Sequence, residues 1–164
     1  MVHRGRLRAG RCATGCGSVA RPPGRGDRPQ FRTLRLATVN APDGLLYTTD
    51  HEWVSVVSPG CVRVGITDYG QDALGEVVFI ELPTNGRTVE RGELLGEIES
   101  TKSVTEIYAP LTGTVTRANE ELTSAPTLIN RDPYGDGWLL EIAGEMDSDH
   151  ELLDVASYIA LVEG

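Results

Sequence analysis

Lysine is nearly absent from this chain. Of the fifteen Lys and Arg side chains in its 164 residues, all but Lys102 are arginine. Both residues serve as solvated charges, but only the lysine amine can be acylated to a stable amide or form a Schiff base. A lone lysine is therefore either a survivor of Arg-biased codon usage or an attachment point, and its surroundings must decide. Aromatic residues are also scarce, at 5%, whereas glycine (19) and proline (9) are frequent. That balance excludes an architecture of long helices and favours many short strands and turns. No run of about 20 apolar residues exists, which excludes a membrane-spanning helix. Three cysteines supply no disulfide framework, which suits a reducing compartment. Acid is missing from one end only. Residues 1–40 carry nine Arg and the single acid Asp27, for +8, whereas residues 41–164 carry five Arg and Lys102 against 23 acids, for −17. So acidic a body argues against nucleic acid or anionic membrane as a partner and fits a soluble protein that meets basic patches on other proteins.

Residues 1–40 form a basic tail, and its stretch from His3 to Phe31 is Arg, Gly and Pro without apolar periodicity, a composition that predicts disorder. An organelle transit peptide would share the Arg-rich, acid-poor bias, but Gly5, Gly10, Gly15, Gly17 and Pro22-Pro23-Gly24 would break its amphipathic helix. A basic interaction arm would lack apolar anchors. The favoured expectation is translated upstream sequence, with the mature chain starting near Val39. Cys12 and Cys16, with His3, fall short of the four ordered ligands of a structural zinc site, so no metal is expected. Cys61, after Pro59-Gly60, reads as a small buried hydrophobe.

From Leu45 onward, strand signals follow one another: Trp53 to Val57, Cys61 to Ile66, Val77 to Leu82, Leu94 to Glu99, Val104 to Tyr108, Gly113 to Arg117 and Trp138 to Ile142. Turn residues separate them, among them Pro83-Thr84-Asn85-Gly86 and Asp132-Pro133-Tyr134-Gly135, the latter predicted to position Trp138 in the core. Thr67 is placed to cap a short helix over Asp68 to Leu74, with Gly75 as its stop. Ser148 or Asp149 is expected to cap a final helix, roughly His150 to Val162, whose apolar stripe packs on the sheet. A weak internal echo pairs Gly92–Ile98 with Gly137–Ile142 and Gly75-Glu76-Val77 with Gly113-Thr114-Val115, placing one half-unit on each side of Lys102. Gly65, Gly70 and Gly75 lack the spacing of a phosphate loop.

Lys102 sits in Glu99-Ser100-Thr101-Lys102-Ser103, followed by Ile107-Tyr108-Ala109-Pro110 and Gly113-Thr114-Val115, and this stretch resembles a lipoyl-lysine hairpin. The Met-flanked lysine of biotin carriers and the Asp-Lys-Ala tip of dehydrogenase lipoyl domains are both absent. Further motifs are Asp50-His51-Glu52-Trp53-Val54, Val64-Gly65-Ile66-Thr67-Asp68-Tyr69-Gly70-Gln71-Asp72-Ala73-Leu74-Gly75, Val78-Phe79-Ile80-Glu81-Leu82-Pro83 and Asn130-Arg131-Asp132-Pro133-Tyr134-Gly135-Asp136-Gly137-Trp138. Together, from about Leu45 to Val162, they resemble the glycine cleavage H-protein family. The chain departs from the family pattern mildly, at Thr101 and Asp50.

The resemblance implies a mostly β, hybrid barrel–sandwich fold of two small antiparallel sheets, with a short helix and a C-terminal helix, over residues 41–164. It also implies a carrier rather than an enzyme, with lipoate in amide linkage to Lys102. In such a system the arm takes the aminomethyl group of glycine from a pyridoxal-phosphate glycine decarboxylase and delivers it to a tetrahydrofolate-dependent aminomethyltransferase. Dihydrolipoyl dehydrogenase then reoxidises the arm, and a lipoate ligase or lipoyltransferase installs it. The hard chemistry belongs to cofactors and partners. Because the cargo ends in a protonated amine, Glu52 and Glu106 are the implied arm contacts, and His51 beside Trp53 is a structural residue rather than an acid–base one. A monomer in the bacterial cytoplasm is implied, with the mitochondrial matrix as the alternative. Two other classes compete. One is a relay that donates lipoate to other apo-proteins, and the other is an enzyme using Lys102 as a Schiff base, which would need a desolvated amine rather than an exposed polar turn.

Overall fold

The computed structural model describes residues 39–146 and 151–164. Most of the basic tail, with Cys12, Cys16 and His3, lies outside the described residues, as do Ser148, Asp149 and His150.

Among the described residues, nine strands and four short helices follow one another: β1 Leu46–Tyr47, β2 Glu52–Ser58, β3 Cys61–Ile66, α1 Asp68–Leu74, β4 Val77–Glu81, β5 Thr88–Val89, β6 Leu94–Ser100, β7 Val104–Tyr108, β8 Gly113–Ala118, α2 Glu121–Ser124, α3 Leu128–Arg131, β9 Leu140–Ala143 and α4 Val155–Glu163. They build two antiparallel sheets, a six-stranded one in the order β1-β2-β3-β9-β8-β5 and a three-stranded one in the order β4-β6-β7. Neither closes on itself, and the barrel–sandwich expectation is met by two open sheets. The sequence echo falls on matching places, since β4 pairs with β6 in one sheet and β8 with β9 in the other.

Val54, Val62, Val64, Val115, Leu140 and Ile142 of the large sheet share a core with Ile80, Leu95, Ile98 and Ile107 of the small one. Each such side chain contributes roughly 1.5–3 kcal/mol by leaving water. A second cluster joins Tyr47, Trp53 and Tyr158, with Tyr47 and Tyr158 stacked at 4.5 Å.

α1 has the predicted bounds. The Thr67 hydroxyl accepts from the Gly70 N–H, and Gly75, at φ 79°, closes the helix by donating to the Gln71 carbonyl. The final helix differs from expectation. It starts at Val155, where Asp154 caps the Ser157 N–H, because Leu153 is held extended by a two-bond backbone bridge to Tyr47. The ninth strand begins at Leu140 rather than Trp138. Trp138 is not fully buried but packs at the edge of the second cluster. It is half-buried, with the Arg63 and Arg117 guanidiniums 4.7 and 5.0 Å from its ring. The Asp132–Gly135 turn instead seats Trp53, whose indole N–H donates to the Pro133 carbonyl at 2.9 Å. Gly65 makes room for that indole, since a Cβ there would lie 2.4 Å from it. Cys61 is half-buried rather than buried. α2 and α3, one turn each, carry no periodic signal and were not expected.

Candidate functional site

Lys102 projects from the turn joining β6 to β7, and one serine closes that turn. The Ser100 hydroxyl oxygen accepts from the Lys102 and Ser103 amides at 3.2 and 3.0 Å and donates to the Ser103 carbonyl at 3.1 Å. The Ser100 N–H also donates to the Ser103 carbonyl at 2.8 Å. Such local bonds make short hydroxyl residues suited to turns. A further bond ties the tip to the rest of the molecule, as the Thr101 N–H donates to the Glu76 carbonyl at 3.0 Å. The lysine therefore stands on a braced hairpin.

Its stem lies across Gly75. A Cβ added to that glycine would come within 3.2–3.3 Å of the Lys102 Cε, Cδ and Nζ, and φ of 79° independently disfavours any other residue. Below it, Asn130 locks the segment in place. Its amide nitrogen donates to the Gly75 carbonyl at 2.8 Å and to Gln71 Oε1 at 2.9 Å, while its oxygen accepts from the Val77 N–H at 2.9 Å. An open cleft of about 540 Å³ adjoins this point, lined by Gln71, Asp72, Gly75, Glu76, Thr127, Asn130 and Arg131.

The implied acids meet at Tyr108, near the far end of β7. Glu52 is 2% exposed. Its Oε1 accepts from the Tyr108 backbone N–H at 3.1 Å and its Oε2 from the Thr48 hydroxyl at 3.3 Å, so it stitches β2 of the large sheet to β7 of the small one. Burial pushes its pKa up to about 8 against the pull of the Tyr108 N–H, and nearby Asp50 adds to the rise. At neutral pH the protonated form predominates. Glu106, two residues along β7 from Val104 or roughly 7 Å, is exposed and accepts from the Tyr108 hydroxyl. That bond and Asp50 both raise the phenol's pKa. The two predicted contacts thus meet through Tyr108, one buried and one exposed, with exposed Asp50 beside them.

His51 serves structure. Its backbone takes φ 66°, its Nδ1 shares a 3.0 Å hydrogen bond with the Tyr158 hydroxyl, and that hydroxyl meets Thr67 Oγ1 at 2.8 Å. Burial lowers its pKa, and the bonds tie the α1 cap to α4. Among the described residues, no group of three His, Cys, Asp or Glu side chains is placed to hold a metal, and no helix is long and apolar enough to cross a membrane.

Sequence reasoning missed Asn130, Tyr108, Thr48 and the Lys102–Gly75 contact. Asn130 and Tyr108 stand inside quoted motifs, yet their partners lie 53 to 59 and 56 residues away, and no local pattern marks such bonds.

Comparisons with known proteins agree with this geometry. The family model described as glycine cleavage H-protein matches residues 45–163. A glycine cleavage system H protein from Mycolicibacterium vanbaalenii is 52% identical over 125 residues, covering 74% of this chain and 95% of that one. One from Nocardia farcinica is 50% identical over 128 residues, covering 75% and 97%. The crystal structure of a glycine cleavage system H protein from Mycobacterium marinum superposes with a TM-score of 0.70 at 39% identity, covering 76% of this chain and all of that one.

Proposed function

Since this chain belongs to the glycine cleavage H-protein family, a family of carrier subunits rather than catalysts, we propose that Lys102 carries lipoate in amide linkage. The fit supports the reading. An exposed amine stands on a braced turn, its stem rests on a glycine where a Cβ would crowd it, and an open cleft adjoins that point. Lipoate, when bound, supplies a disulfide that accepts and releases the aminomethyl group and can be reoxidised.

This chain's own residues would present, orient and shelter the arm. Ser100 and Glu76 fix the direction in which Lys102 leaves the hairpin, and acylation removes the lysine's charge. Glu106 is the exposed acid that would receive the cargo's cationic amine, with Asp50 beside it. Glu52, protonated at neutral pH, would ionise as a cation approaches, because a nearby positive charge lowers a carboxyl pKa. The partners in this reading are glycine decarboxylase, aminomethyltransferase, dihydrolipoyl dehydrogenase and the lipoate ligase or lipoyltransferase that loads the lysine. In this reading the protein would act as a monomer in the cytoplasm.

The position of Lys102, the only lysine, on this hairpin carries the proposal. Intact mass and peptide mapping of protein from a lipoylation-competent host test it. One lipoyl amide on Lys102, lost in Lys102→Arg, is the expected result. An unmodified lysine, in a host that lipoylates a control protein, would sink the carrier reading.

A further inference from the structure

The outer face of the small sheet is largely exposed, and its composition is unusual for water. A register shift between Val77 and Phe79 leaves Val77 fully buried and turns both Val78 and Phe79 outward, 51% and 48% exposed. Bulges re-aim side chains in this way and are over-represented beside functional sites. In the cross-strand register Phe79 stands opposite Glu99 and Glu99 opposite Val104, itself 58% exposed. An apolar side chain thus flanks each edge of the row nearest the Lys102 turn. The next row runs Glu81, Glu97, Glu106, three like charges directly opposite one another, an arrangement that costs stability. None of these four acids forms an ion pair with an arginine among the described residues. On the large sheet the chain does the reverse. There Arg63, Glu141 and Arg117 alternate across the strands, Arg63 binds Glu141, and Trp138 covers the arginines.

Accepting the carrier reading, we propose that this face, with Val78 and Phe79 on one edge, Val104 on the other, Glu99 between them and the glutamate row beside them, docks the enzyme that acylates Lys102. The partner surface is apolar where it meets Phe79 and basic where it meets the glutamates. Charge complementarity fixes the sign, and proximity selects the partner. Enzymes that act on the loaded arm meet its free end, whereas the acylating enzyme must bring an activated carboxyl carbon to Nζ itself. With an acyl adenylate, the amide C–N bond forms as the acyl–phosphate C–O bond breaks. The departing nucleotide takes the bond's electron pair, and the lysine ammonium releases two protons.

The test incubates the full unacylated chain with lipoate, ATP and a lipoate ligase, following mass gain against protein concentration. Replacing Val78, Phe79 and Val104 together by Thr is expected to raise KM about tenfold with kcat within about twofold. Glu81→Gln with Glu97→Gln relieves like-charge repulsion, so it folds even should the threonine variant not, and it is expected to raise KM and flatten its salt dependence. Val56→Thr, at the exposed end of β2, is the control and should change neither constant. Unchanged KM in the acid variant, or an equal rise in the control, overturns the proposal. Normal acylation combined with impaired glycine exchange overturns it as well, assigning the face to a later partner. A wild-type chain that is never acylated sinks the carrier reading itself, and this inference with it.

Discussion

Glu52 shows how far a residue's setting can move it from what its neighbours suggest. Between Asp50-His51 and Trp53 it reads as a surface acid available to a cationic arm, yet it is buried between two sheets with both oxygens engaged. Its pKa rises from 4.5 to about 8, so it favours the fold only while protonated. That contribution is intact below about 4.5 and disappears as pH climbs through about 8. Glutamine keeps the acceptor for the Tyr108 N–H and cannot ionise. Glu52→Gln should therefore gain stability relative to wild type across that window, by on the order of a few kcal/mol at its upper end. Urea melts at a series of pH values check this, and parallel curves for the two proteins would show that the Glu52 pKa is the same in the folded and unfolded chain. The Trp pair gives the same lesson. Trp138 reads as core, but it is Trp53 that has a glycine opposite to admit it and a carbonyl to take its N–H, while Trp138 stays half-buried at the edge of the second cluster, with two arginines against its ring.

At the scale of elements, what the sequence states locally it states well. α1 carries its cap and its glycine stop within nine residues, and its bounds follow. The lysine hairpin is likewise set by alternation and by a hydroxyl-rich turn. α4 was misplaced because Ser148, Asp149 and Asp154 can all cap a helix, and the choice among them rests on the distant bridge from Leu153 to Tyr47. Asn130 is the clearest long-range case, since one amide holds the end of α1, the start of β4 and so the carbonyl of Glu76 that braces Thr101. Asn130→Ala would strand the Val77 N–H and the Gly75 carbonyl, and should cost about 2–3 kcal/mol in denaturant melts. It should also slow acylation of Lys102. Asn130→Asp, which retains the acceptor for Val77 but not the donors, should fall between the two. An alanine variant as stable as wild type would show that the three bonds contribute nothing net.

At the scale of the whole molecule, charge governs encounters. The body's −17 is offset by +8 from residues 1–40, leaving −9 for the full chain. Association with a basic partner surface is steered by that field and screened beyond about 10 Å at 0.1 M salt. Raising ionic strength should therefore lower kcat/KM for the proposed exchange with a decarboxylase chiefly through KM, since rim charges set encounter rates. A chain beginning at Val39 keeps every residue of the two cores and should melt at the same temperature. With the +8 removed, its exchange should be faster at low salt and fall more steeply as salt rises. Steady-state exchange of labelled bicarbonate into glycine, run for both chains across a salt series, separates the outcomes. Converging curves at high salt with divergence at low salt would confirm field steering, while identical curves throughout would mean that local contacts alone set the encounter.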